Sequence, residues 1–262
     1  MLVSMPDSVW SPVKYLDYGE PRARPFFDLL ARVEAPRPRR VVDLGCGPGN
    51  LTRTLPRRWP EATIEAIDNS PEMVVAARRS GVDAEVADIV EWEPAPDTDV
   101  VVCNAVLQWI PGHRELLSRW ARRLPSGAWL AVQLPGNFGS PSHTLARRVT
   151  RDPRWAPRLQ DAPLLEDDAV ADPLDYAELF ADLGCQVDAW ETTYIQRLTG
   201  DDAVLEWVSG TALRPVKAAL PEGEWLAFRE QLAPLLAEAY PSRGDGTTWL
   251  PFRRVFVVAR VP

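Results

Sequence analysis

The chain has 262 residues, 46% of them hydrophobic, with 37 acidic and 29 basic side chains and a formal net charge of −8. That size suits one large α/β domain, with or without a lid, and a core that needs no metal or disulfide. The acidic balance argues against a nucleic-acid partner, which would favour a basic face, and no run of about 18 apolar residues predicts a membrane span.

No charged-then-apolar leader is present, so no secretory signal is expected. Cys46, Cys103 and Cys185 form no C-x-x-C pair and sit in or beside apolar runs. They read as buried reduced thiols of a cytoplasmic protein.

In chain order, residues 1–36 open with a Trp-, Tyr- and Pro-rich segment and a short helix from about Arg24 to Val33, expected to fold over a ligand. Val41-Val42-Asp43-Leu44-Gly45-Cys46-Gly47-Pro48-Gly49-Asn50 then reads as a buried strand, a tight turn and the start of a helix. Glycine permits the turn and a close ligand approach, and the helix start offers free N–H groups. The pattern is that of a nucleotide-cofactor site at the carboxyl edge of a parallel sheet. A hydride-transfer fingerprint, G-x-G-x-x-G, would place its third glycine at position 50, which is Asn50. Asp43, two residues before Gly45, would also repel a diphosphate. A cofactor with no phosphate and a cationic amine suits this acidic cup better, and S-adenosylmethionine is one. The bland alternative is a glycine turn with no ligand.

Thr63-Ile64-Glu65-Ala66-Ile67-Asp68 reads as a second strand ending in an acid. Asp68 lies about 20 residues beyond the turn, the usual offset for an acid that accepts ribose hydroxyls. Ser70-Pro71-Glu72 opens a helix, with Ser as the cap and Pro in the first turn. A third strand over 84–87 ends at Asp88, a fourth over 100–103 at Asn104, and a fifth spans 128–134. A lone strand-end Asp is more often a helix cap than a ligand, but four successive polar strand ends are harder to dismiss. Alternating strands and helices imply a doubly wound parallel sheet. Two later strands, near 185–197 and 254–261, would add an antiparallel edge. Between them, Leu205, Val208, Leu213 and Val216, then Leu226, Phe228, Leu232, Leu235 and Leu236, recur at helical spacing. An insert that long is usually functional, so 199–251 reads as a helical lid.

Asp43-Leu44-Gly45-Cys46-Gly47-Pro48-Gly49-Asn50, Ile67-Asp68-Asn69-Ser70-Pro71-Glu72-Met73, Ala87-Asp88-Ile89 and Leu107-Gln108-Trp109-Ile110-Pro111 together resemble the class I S-adenosylmethionine-dependent methyltransferases. Trp190-Glu191-Thr192-Thr193-Tyr194, Trp207-Val208, Leu213-Arg214-Pro215 and Arg254-Val255-Phe256-Val257-Val258-Ala259-Arg260 narrow the resemblance to the trans-aconitate 2-methyltransferase family. The chain departs from the pattern at Pro56, inside the helix expected after the turn, where proline should cost a hydrogen bond. The Pro-rich stretch 151–168 has no clear counterpart.

The resemblance implies a Rossmann-like, mostly parallel seven-stranded sheet with an antiparallel edge strand and a helical lid, organised as one domain over 1–262. Residues 1–36 would form the cover and 37–135 the cofactor core. It implies S-adenosyl-L-methionine as cofactor and S-adenosyl-L-homocysteine as product. Asp43, Gly45, Cys46, Gly47 and Asn50 would cradle the methionine end, with Asn104 near its amino group and Arg24 on its carboxylate. Asp68, Asn69 and Met73 would serve the ribose, and Asp88 and Ile89 the adenine. Tyr15, Trp109, Tyr194, Arg214 and Arg254 are the candidates for a small polycarboxylate substrate. The bland readings are core packing for Trp109, a strand-edge charge for Arg254 and an exposed lid charge for Arg214.

The implied reaction is methyl transfer to a carboxylate, which is already ionised at neutral pH. No general base is then needed, and no catalytic acid or base is assigned. The only histidines are His113, near a helix start, and His143, in a Pro/Ser loop; each reads as a surface residue or a cap. No metal-spaced cluster or nucleophile–histidine motif is present. Three alternatives remain at this point: the same fold acting on another carboxylate such as a malonyl thioester, a nicotinamide oxidoreductase, and a non-catalytic adenosylmethionine-binding module.

Overall fold

A computed structural model describes residues 23–160, 162 and 164–262. The elements, in chain order, are α1 Arg24–Leu30, β1 Arg40–Leu44, α2 Leu55–Arg58, β2 Thr63–Asp68, α3 Pro71–Arg79, β3 Ala84–Val86, β4 Thr98–Asn104, α4 His113–Arg123 and β5 Trp129–Pro135. There follow α5 Pro141–Thr150, α6 Ala156–Leu159, α7 Pro173–Ala181, β6 Gln186–Thr199, α8 Ala203–Ser209, α9 Arg214–Ala219, α10 Glu222–Ala239 and β7 Thr247–Arg260.

The strands form one seven-stranded sheet in the order β3-β2-β1-β4-β5-β7-β6. The pairs β1–β2, β1–β4, β2–β3 and β4–β5 are parallel. Val261 N–H donates to Ala128 O and Gly136 N–H to Arg253 O, so β7 ends beside the start of β5 and the two strands run antiparallel. Val41, Val42 and Leu44 of β1 and Val100, Val101 and Val102 of β4 are all buried. Burial on both faces is what a central parallel strand covered by helices requires. The strand order reverses between β1 and β4, the switch point where such sheets open a ligand crevice.

The chain divides into two compact units, Met1–Leu134 with Asp172–Trp190 and Val255–Pro262, and Pro135–Ala171 with Glu191–Arg254. In the first, Trp120 of α4 is fully buried and meets Trp92 edge to face at 5.7 Å. The second has its own core, in which Trp155, Val208, Leu213, Val216, Phe228, Leu232 and Leu236 pack together. The helices expected there form, but the stripe of α10 is rotated. Trp225 is buried and Leu226 is 53% exposed, because the larger ring fills the space beside Phe228 at 5.9 Å. The final strand begins at Thr247, earlier than expected.

Two sequence expectations are corrected locally. No long helix follows the glycine turn; a 3₁₀ turn over Thr52–Thr54 leads into the four-residue α2. Pro56 lies in the first turn of α2, where its missing N–H has no helical partner to lose. The 151–168 stretch carries α6 and is pinned by Arg147, a buried cation of α5. Its guanidinium donates to Phe138 O at 3.0 Å and Leu165 O at 2.8 Å, and pairs with Glu166 and Asp167.

Candidate functional site

Asp43 pairs in register with Ala66 of β2 and Val102 of β4, Asp68 with Val86 of β3, and Asn104 with Gln133 of β5. Paired residues of parallel strands project to one face, as do residues two apart. Asp43, Asp68, Asn104 and Gln133 therefore share a face at the carboxyl edge. The strand-end acids are gathered by register, and a slip of one residue in any strand would disperse them.

The turn after β1 is stitched to β2. Gly45 and Cys46 N–H both donate to Ile67 O, at 2.8 and 2.9 Å. Gly47 N–H donates to Asp68 Oδ2 at 2.8 Å, and Ser70 N–H donates to Oδ1 at 2.9 Å. Gly45 has φ +78°, and a Cβ there would lie 2.5 Å from Val106 Cγ2. The missing side chain thus lets the segment after β4 nest against the turn. No atom of the described residues lies within 4 Å of where a Cβ on Gly47, φ +56°, would sit, so among them it is the position where the main chain is open to a ligand. Ser70 caps α3 by accepting from Met73 N–H at 3.3 Å. Ala105, directly after Asn104, also has positive φ, 57°, the kind of strain that a well-determined site tolerates.

Asp43 is 3% exposed and accepts the Thr52 hydroxyl at 2.6 Å. Burial pushes its carboxyl up from 3.8 to about 6; the Thr52 hydrogen bond opposes the shift and the charge of Asp68 adds to it. An acid held this way is strained toward the neutral form, and a nearby cation would relieve it. Burial, with Asp43 and Asp68 adding, pushes the Cys46 thiol up to about 12. That thiol is protonated and inert at neutral pH.

The other candidates of the first unit are distributed around this edge. Ala87 N–H donates to Asp68 O at 3.2 Å, which sets Asp88 beside the end of β2. Asp88 is exposed and accepts from Val90 N–H, and Ile89 is buried. Met73 is half-buried, and Asn50 and Asn69 are exposed. Arg24 opens α1 and forms an ion pair with Asp28 at 3.6 Å. Trp109, in a 3₁₀ turn over Leu107–Trp109, is 53% exposed, which does not fit a core-packing role. Tyr15 lies outside the described residues.

In the second unit, Tyr194 is buried in β6. Arg254 is 8% exposed, with its guanidinium 4.2 Å from the Phe252 ring centroid, so it is not a strand-edge charge. Arg214 is exposed at the start of α9 and lines a recess of about 440 Å³ with Ser209, Gly210, Lys217 and Ala218.

Neither histidine is a surface residue. His113 is buried, stacks on Tyr176 at 5.9 Å and places Nε2 2.8 Å from the Tyr176 hydroxyl. His143 is half-buried in the first turn of α5, 3.0 Å from Ser142 Oγ. Burial lowers both, His143 to about 4, so both rings are neutral at pH 7.

The sequence reading missed Thr52, Gln108 and Gln133. Gln133 is 1% exposed, and its Nε2 has no hydrogen-bond partner among the described residues; the same holds for Asn104 Oδ1 and Gln108 Oε1. The available signal was a lone polar residue inside the apolar run Ala131-Val132-Gln133-Leu134.

Residues 18–189 match the family model described as a methyltransferase domain. The chain is 63% identical over 253 residues to the trans-aconitate 2-methyltransferase of Rhodococcus jostii (strain RHA1), covering 97% of this chain and 100% of that protein. It is 58% identical to the trans-aconitate 2-methyltransferase of Mycolicibacterium gilvum (strain PYR-GCK), covering 97% and 99%. Among solved structures, the YcgJ protein of Bacillus subtilis superposes with a TM-score of 0.58 at 13% identity, covering 90% of this chain and 97% of that one. That likeness is one of fold.

Proposed function

The chain belongs to the trans-aconitate 2-methyltransferase family of S-adenosylmethionine-dependent methyltransferases, and from that membership we propose how its own residues carry the reaction. It is an enzyme that forms a methyl ester on a carboxylate of trans-aconitate, with S-adenosylmethionine as donor and S-adenosylhomocysteine as product.

Bound S-adenosylmethionine supplies an electrophilic methyl group on a cationic sulfur. The residues fit such a cofactor on three counts. Gly47 is open to an approaching ligand, Asp43 is a buried acid raised toward neutrality, and Asn104 carries a buried acceptor atom with no partner among the described residues. In the proposed arrangement Asp68 accepts the ribose hydroxyls on the lone pairs left by Gly47 and Ser70. Asn69 and Met73 flank it, and Asp88 and Ile89 hold the base. Asp43, the Gly45–Gly47 turn, Asn50, Asn104 and Arg24 hold the amino-acid end. Tyr15, Trp109, Tyr194, Arg214 and Arg254 serve the substrate.

The attacking carboxylate is already ionised, so the protein's work is orientation and exclusion of water. Orientation alone can contribute on the order of 7–11 kcal/mol. A single small-molecule substrate and a cytoplasmic location belong to the same proposal. Three buried free thiols support the location.

The observation that carries the cofactor assignment is the convergence of Asp43, Asp68 and Asn104 on one face beside the glycine turn. A labelled methyl donor offered with a panel of small carboxylic acids, products identified by mass, tests the whole reading. The expected product is a monomethyl ester of trans-aconitate. Transfer only to a thioester-linked acid would leave the methyltransferase class and overturn the substrate.

A further inference from the structure

Sheet order gives the carboxyl edge a direction. The proposed cofactor contacts run from Asp88 past β3, to Asp68 on β2, Asp43 on β1 and Asn104 on β4. The base lies at one end of that series and the amino-acid end, with the methyl group, at the other. The next strand is β5, about 4.8 Å further along. Its residue in register with Asn104 is Gln133.

Gln133 is 1% exposed, yet its Nε2 donor has no partner among the described residues. The obvious internal acceptor is Asn104 Oδ1 on the neighbouring strand, and that atom is likewise buried without a partner. The two amides share a face and a register position but do not satisfy each other. Gln108 donates through its Nε2 to Ala105 O at 2.7 Å, but its Oε1 acceptor is likewise buried without a partner among the described residues, so it does not satisfy Gln133 either. A donor this deeply buried is costly to leave unmade, and a strand interior would more cheaply hold a leucine.

We propose that the Gln133 side-chain amide binds one oxygen of the carboxylate that receives the methyl group, leaving the other free to attack. This rests on the methyltransferase reading above. A neutral amide suits the nucleophile better than a guanidinium, because it orients the group without neutralising the charge that makes it reactive. The hydrogen bond is strongest to the charged carboxylate and fades as the ester forms. It therefore favours bound substrate over product, and its loss should appear mainly in KM for the acceptor.

The test is Gln133→Met and Gln133→Glu in the full chain, with steady-state kinetics in both substrates and calorimetry of S-adenosylhomocysteine. Gln133→Met should raise KM for trans-aconitate about tenfold or more, the size of a lost hydrogen bond to a charged group. Gln133→Glu keeps the shape, sets a carboxyl against the substrate and should raise KM further. KM for S-adenosylmethionine and the affinity for S-adenosylhomocysteine should stay within about twofold in both, which also reports folding. A weakened cofactor with unchanged KM for the acid would move Gln133 to the cofactor and overturn the proposal. A fall in kcat and melting temperature with both KM values unchanged would make it a packing residue and would overturn the proposal as well. The acceptor is whichever carboxylic acid the unmodified enzyme turns over, so a wrong substrate and a wrong residue give different results.

Discussion

Asp68 Oδ2 accepts the Gly47 amide at 2.8 Å, so the acid that ends the second strand holds the turn that follows the first. One carboxylate thus shapes the turn and, in the proposed site, faces the ribose. Asp68→Ala should weaken S-adenosylhomocysteine binding by roughly 1.5–3 kcal/mol, the range for a hydrogen bond to a charged group. It should also speed amide exchange at Gly47. Calorimetry and hydrogen exchange read the two effects, and an unchanged affinity would remove Asp68 from the site.

Gly45 and Gly47 both have positive φ but differ in surroundings. Alanine at Gly47 meets no described residue within 4 Å and carries the left-handed backbone penalty, about 1–2 kcal/mol. Alanine at Gly45 would in addition place Cβ 2.5 Å from Val106 Cγ2, an overpacking cost of about 1–3 kcal/mol. Thermal melts should rank Gly45→Ala well below Gly47→Ala, and Val106→Ala should rescue part of the former. Equal melting temperatures would contradict the nesting of the two segments.

The sign of the Asp43 effect follows from its direction. Its carboxyl is raised from 3.8 to about 6 on folding, so the native state holds a proton that the unfolded chain has lost. The resulting stability is fully present below about pH 4 and is lost as pH rises through about 6. A shift of about two pH units corresponds to about 3 kcal/mol, as an order of magnitude. Asp43→Asn, neutral throughout, should be more stable than the parent at pH 7.5 and similar to it at pH 4.5, while binding cofactor more weakly. Urea unfolding at the two pH values checks this; a variant less stable at pH 7.5 would refute it.

Between about pH 6 and 9 the rate of methyl transfer should be nearly flat. The nucleophile is ionised there, His143 is neutral because burial lowers it to about 4, and burial shifts His113 in the same direction. A steep rise with a midpoint near about 7 would indicate a general base and a hydroxyl or amine acceptor instead.

Arg214→Met and Arg254→Met should each lower turnover of trans-aconitate about tenfold or more, with cofactor affinity unchanged. Their stabilities should separate them. Arg214 is exposed, so its variant should melt like the parent. Arg254 is 8% exposed and stacked over Phe252, so its variant should also lose stability, by about 0.5–2 kcal/mol. Normal turnover in both would remove the two arginines from the proposed substrate site.

Local chemistry written into short stretches was legible in the sequence. β2 runs from Thr63 to Asp68 as its residues suggest, and Ser70 caps the next helix by the side-chain bond that its position implies. The alternation of strands and helices implied the parallel sheet, and each strand's polar end was visible as a residue type. These features depend on neighbours within a few positions, which a linear reading contains. Tertiary structure decided what depends on residues far apart in the chain. Thr52 reaches back to Asp43, and Val106 fills the space that Gly45 leaves. Gln133 drew no notice as one polar residue in an apolar strand. Only the pairing of β4 with β5 sets it beside Asn104 at the carboxyl edge, because strand register, a property of two chain segments together, determines which side chains share a face.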